Sequence, residues 1–170
     1  MKKRIVIILI LLAAIAAAVV ALVIAFSPKK GANTDVYSYE GITEYTTATD
    51  FLKLFPDAQG EGKTSYRYYF QDSNLTRWGC TQGEVKAITG QASFMPGTEL
   101  VEYITLSVVP NGRGAAIFKK IAEYFTKTLG QADRINDSET EYMWAKPDAN
   151  VLLSYATDAI RVTYFYNLSK

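Results

Sequence analysis

AAIFKKIAEYFTKTLGQADRINDSETEYMWAKPDANVLLSYATDAIRVTYFY, residues 115–166, reads as one helix followed by three short strands, and that order decides the fold class. Phe118, Ile121, Ala122, Phe125 and Leu129 recur at the spacing of a single helix face, while Lys119, Lys120, Glu123 and Lys127 take the other side. Gly130 is the expected stop. Beyond a polar loop at 131–141, YMWAK, VLLSY and IRVTYFY are separated by connections too short for a crossover, so these strands pair antiparallel.

Working outward toward the N-terminus, ELVEYITLSVV (99–109) places Leu100, Ile104, Leu106 and Val108 on one face of a strand. SYRYYFQ (65–71), LTRWGCT (75–81) and EVKAITGQASF (84–94) read as further strands, the last two bent by Gly79 and Gly90. TTATDFLKLFP (46–56) offers Thr47 or Thr49 as an N-cap, Asp50 in the first turn and Pro56 as the stop of a short helix. A first strand is expected around Val36–Tyr45. The layout is strand, short helix, strands, long helix and a three-stranded meander, which predicts an α+β domain with a mainly antiparallel sheet packed by a short and a long helix. Each half sets a helix ahead of a meander with one tryptophan, Trp78 or Trp144, so internal duplication is an open reading supported by element order alone.

Ahead of this domain, Ile5–Phe26 is an uninterrupted apolar run preceded by Lys2, Lys3 and Arg4. As a helix it would measure roughly 33 Å, enough for a hydrocarbon core of about 30 Å. We therefore expect residues 1–26 to be a transmembrane signal-anchor, 27–35 (SPKKGANTD) a linker and 36–170 an extracytoplasmic domain. The basic flank orients the N-terminus to the cytoplasm, and residues 5–26 would meet membrane lipid. The competing reading is a secreted protein released by signal cleavage, with Val23 and Ala25 as the small residues before the cut.

The composition excludes several chemistries. The chain has no histidine, which removes Ser-His and Cys-His nucleophile pairs and every zinc site that needs one. Its single cysteine, Cys80, permits no internal disulfide and reads as a half-buried strand residue. Residues 27–170 carry 15 basic and 17 acidic side chains with no basic cluster, which argues against nucleic acid as a partner. PNGRG (110–114) lacks the spacing of a dinucleotide or phosphate loop, and Asp133, Asp137, Glu139 and Glu141 lack that of an EF-hand, so neither a cofactor nor a metal is expected.

Aromatic residues are the unusual feature, with 12 Tyr, 8 Phe and 2 Trp. Tyrosines on strands that leave one sheet face uncovered suit a binding surface, and Tyr66, Tyr68, Tyr69, Trp78, Tyr164 and Tyr166 are the candidates. The expected function is a membrane-anchored, non-enzymatic binding or accessory module of the cell envelope that contacts another envelope protein or a wall polymer. A carboxylate-dependent enzyme acting on cell-surface glycans is the first alternative. A structural subunit of a membrane complex, packed through Ala13, Ala14, Ala16, Ala17 and Ala18, is the second.

Overall fold

The computed structural model describes residues 37–61, 66–146, 149–157 and 159–166. The expected anchor and linker lie outside these residues, and among the described residues no helix is long and apolar enough to cross a membrane. In chain order the elements are α1 (Ala48–Leu54), β1 (Gln59–Gly60), β2 (Arg67–Asp72), a 3-10 turn (Arg77–Gly79), β3 (Val85–Phe94), β4 (Val101–Pro110), α2 (Gly114–Leu129), β5 (Arg134–Ile135), β6 (Glu141–Ala145), β7 (Ala149–Ala156) and β8 (Ala159–Tyr166). The strands form one sheet in the order β1-β2-β3-β4-β8-β7-β6-β5, with every neighbouring pair antiparallel. The α+β class and the antiparallel sheet with two helices are thus observed.

That strand order is a palindrome, and the halves are built alike. Each supplies a helix, a two-residue strand and three longer strands, and they join where β4 pairs with β8 from Tyr103↔Phe165 to Val108↔Ile160. An approximate two-fold axis normal to the sheet therefore runs between β4 and β8. Phe51, Tyr68 and Phe70 of the first half stand 74 residues before Phe125, Tyr142 and Trp144 of the second. The Phe51 and Phe70 ring centroids are 5.5 Å apart, and those of Phe125 and Trp144 are 5.3 Å apart. The structure thus supplies the residue register of a duplication for which the sequence showed element order only. It also pairs Trp144 with Phe70 rather than with Trp78.

Both helices lie on the same face of the sheet. Thr47 caps α1, its Oγ1 accepting the Asp50 N–H at 3.2 Å, and α2 ends at Gly130 with φ 93°. From α2, Ile117, Phe118, Ile121, Ala122 and Phe125 are buried against the inward row of Ile88, Ile104, Leu106, Leu153, Ile160 and Val162. Burial of this apolar stripe is what holds the helix, at roughly 25 cal/mol per Å² removed from water.

Two expected strands are absent. The segment Tyr37–Thr46 forms turns, because Tyr39 and Ile42 are anchored by packing and only Thr47 makes a bridge, to Leu100. In place of a strand over 75–81 there is a 3-10 turn, Arg77–Gly79, in which buried Trp78 adopts φ 52°, ψ 40°. A bulky side chain in this left-handed conformation is strained, and here its packing against Phe125 (centroids 6.2 Å) compensates.

Gly90 shows how closely the inward face is filled. A Cβ there would lie 2.1 Å from Cζ of Phe70, whose ring covers the glycine. Gly90→Ala is expected to destabilise the domain by about 1–3 kcal/mol through this overlap. Urea unfolding checks it, and an unchanged midpoint would contradict the packing described.

Candidate binding surface

Among the described residues the opposite face of the sheet carries no helix, and strand pairing arranges its side chains in rows. One row runs Gln71, Thr89, Ser107, Arg161, Ser154 and Glu141, and the next runs Tyr69, Gln91, Thr105, Thr163, Leu152 and Met143. A third row runs Arg67, Ser93, Tyr103, Phe165 and Asn150. Amides and hydroxyls dominate its centre.

A groove of about 920 Å³ lies at the β2, β3, β4 and β8 part of this surface, bounded by the Leu54–Gln59 segment that leads from α1 into β1. Tyr69, Gln71, Thr89, Gln91, Thr105, Ser107 and Arg161 line it. Several of these groups are held in place. The Tyr69 hydroxyl donates to Glu61 Oε1 at 2.5 Å, a bond that pushes its pKa up and fixes the ring at the wall. Gln91 Nε2 donates to the Tyr103 hydroxyl at 3.2 Å, and the Tyr103 and Phe165 rings lie side by side with centroids 6.2 Å apart. At the junction of the halves the Thr105 and Thr163 hydroxyls are 3.0 Å apart and hydrogen-bonded. The lining holds one carboxylate, Asp57.

The six candidates, five tyrosines and one tryptophan, do not come together here. Tyr69 lines the groove and is 41% exposed, and Tyr66, 44% exposed, stands just before β2. Tyr68 points to the helix side, with its ring against Phe51 and Phe94. Trp78, Tyr164 and Tyr166 are buried among the core residues on that same side and offer no surface, which corrects their assignment. Trp78 Nε1 donates to the Tyr164 hydroxyl at 3.2 Å, and the Tyr166 hydroxyl accepts the Tyr39 N–H at 3.1 Å. The residues that replace them on the open face are Tyr103, Phe165, Gln91 and Arg161. Strand parity is the signal that finds them: once Phe70 and Val162 are set inward, Tyr69 and Arg161 must point out.

Beneath the helix side lies a buried polar network. Asp72, whose side chain is 4% exposed, pairs with Arg77, accepts the Tyr39 hydroxyl proton at 2.8 Å and accepts the Asn74 N–H at 2.8 Å. Arg77 also reaches Glu40 and sits 5.0 Å from the centroid of the Tyr39 ring. These bonds clamp the Tyr39–Glu40 turn to the sheet. Burial, reinforced by the bond to Asp72, drives the Tyr39 hydroxyl pKa far above its ordinary value, and burial does the same to Tyr164. Because both pKa values are raised by folding, their contribution to stability is complete below about pH 10, the unfolded value, and is lost progressively above it. The urea midpoint is therefore expected to fall from about pH 10 upward, with a shallower fall in Tyr39→Phe. Equal slopes in the two proteins would contradict this.

Cys80 is buried, and burial raises its thiol pKa, which suits packing rather than nucleophilic chemistry. Among the described residues no three acidic or cysteine side chains are grouped to hold a metal ion.

No family model matches this chain, and no curated protein matches it. Among solved structures it is similar to the crystal structure of a DUF4309 family protein (YjgB) from Bacillus subtilis subsp. subtilis str. 168, at 13% identity and a TM-score of 0.43. That likeness covers 77% of this chain and 85% of the other, and is too distant to transfer a fold or a function.

Proposed function

We propose that this protein is a membrane-anchored extracytoplasmic binding module of the cell envelope, non-enzymatic, which engages its partner through the open face of the sheet. The observation that carries the reading is the groove, whose fixed amide, hydroxyl and aromatic groups accompany a single lining carboxylate. Among the described residues the lining's one carboxylate is Asp57, and the neighbouring Glu61 at the wall is engaged by the Tyr69 hydroxyl rather than poised as the second acid of a paired-carboxylate hydrolase, which favours binding over glycan hydrolysis. The anchor rests on the apolar run 5–26 and its basic flank.

Two measurements test the proposal. Protease added outside intact expressing cells is expected to digest the domain while the full-length chain fractionates with membranes; a protected domain, or a chain in the soluble fraction, would contradict the anchoring. A pull-down from solubilised envelope is expected to lose its partner with Tyr69→Ser/Gln91→Ala and keep it with Glu123→Ala on the exposed side of α2. The reverse pattern would move the surface to the helix side.

A further inference from the structure

We infer that the groove binds an acidic saccharide, an oligosaccharide chain bearing carboxylate groups, with one carboxylate seated on Arg161. This rests on the reading of the open face as a binding surface and names the ligand class for it.

Arg161 occupies an interior strand of the sheet, β8, held between β4 and β7. An acid directly across the ladder would stabilise a cation at such a position. Here the residues opposite are Ser107 on β4 and Ser154 on β7. The diagonal positions are Thr105, Val109, Leu152 and Ala156, and along its own strand Arg161 is flanked by Ala159 and Thr163. None is acidic. Glu141 lies in the same row, but two strand spacings away on β6, about 10 Å along the sheet. Arg161 takes no part in the ion pairs Lys53–Asp50, Arg77–Glu40, Arg77–Asp72 and Lys120–Glu84.

The guanidinium is thus a two-pronged donor on a rigid strand, and among the described residues its opposite and diagonal ladder neighbours include hydroxyls that also donate and no acid. A planar carboxylate matches that fork. The remainder of the groove argues for a sugar carrying the acid. From β8 to Tyr69 and Gln71 on β2 is three strand spacings, about 14 Å, too long for a lone anion. Along that span stand Ser107, Thr105, Thr89 and Gln91, which exchange hydrogen bonds with hydroxyl groups, and then the Tyr69 ring, which gives a flat apolar wall for the carbon face of a pyranose.

The test uses the full-length chain in detergent micelles, titrated calorimetrically with tetragalacturonate, with maltotetraose as the neutral saccharide and with polyglutamate as a carboxylate polymer without sugar. Tetragalacturonate is expected to bind, to weaken with added salt and to lose roughly tenfold or more in affinity with Arg161→Gln. Maltotetraose is expected to bind more weakly by a similar factor and to be indifferent to Arg161→Gln. Polyglutamate is expected to show no saturable binding. Equal binding of the acidic and neutral sugars, or no effect of Arg161→Gln, overturns the ligand class while leaving the binding face standing. Polyglutamate binding as tightly as tetragalacturonate overturns the sugar requirement. Absence of binding by both saccharides overturns the inference, whereas the binding-face reading falls only if the envelope pull-down ignores Tyr69→Ser/Gln91→Ala. Arg161 is exposed and its replacement is expected to leave the thermal midpoint unchanged, which keeps misfolding separate from lost affinity.

Discussion

Trp144→Ala is expected to lower the unfolding free energy by about 3–5 kcal/mol, a large share of what a domain of this size possesses. The indole is fully buried, its ring lies between Phe125 and Tyr142 at centroid distances of 5.3 and 5.9 Å, and its Nε1 donates to the Gly130 carbonyl at 3.0 Å. Truncation leaves a cavity whose walls are a helix and a sheet, neither free to collapse into it. It also strips the carbonyl of Gly130, which caps α2, of its partner. Trp144→Phe isolates the two effects, because phenylalanine is what the first half carries at the corresponding place, Phe70. That variant is expected to recover most of the loss, leaving about 1–2 kcal/mol for the missing donor and volume. Urea unfolding followed by circular dichroism measures both. A cost below about 1 kcal/mol for Trp144→Ala would mean that the halves are not packed as described.

Asp72→Ala is the second large effect, again about 3–5 kcal/mol. The cost comes less from the lost attraction than from what remains. Arg77, 19% exposed, loses its buried counter-ion and keeps only Glu40, while the Tyr39 hydroxyl and the Asn74 N–H lose their acceptor. If that account is right, removing the stranded charge restores stability, so Asp72→Ala/Arg77→Ala is expected to be more stable than Asp72→Ala alone. Strictly additive losses in the double variant would contradict it.

These two sites differ in how far the sequence announced them. The long helix, its glycine stop and the meander after it were legible because Phe118, Ile121, Ala122 and Phe125 keep one period over about two turns and the following connections are short. β2 and β8 were legible as strands but not in phase. Tyr68-Tyr69-Phe70 and Tyr164-Phe165-Tyr166 place aromatics at consecutive positions, so hydrophobicity does not alternate and no period of two says which ring faces the core. Only pairing with β3, β4 and β7, whose inward residues are unambiguous, fixes the phase. That is why Tyr164 and Tyr166 read as surface candidates and Phe165 did not.

Trp78 and the 37–46 segment failed for a different reason. Their composition favours strands, but their structure is decided by distant partners: Tyr39 packs against Phe55, Phe70 and Tyr164, and Trp78 against Phe125. Long-range packing of this kind overrides local propensity and leaves no local pattern. Arg161 was invisible as a site for the same reason, since its meaning lies in Ser107 and Ser154 across the ladder and not in its chain neighbours.

The open sheet face is the centre of this account, and photo-crosslinking in intact cells tests it most directly. With a photoreactive residue placed at Gln59 in the groove lining, irradiation is expected to attach the chain to an envelope component, and the same residue at Glu123 on the outer side of α2 is expected to give none. Adducts at Glu123 with none at Gln59 would contradict it.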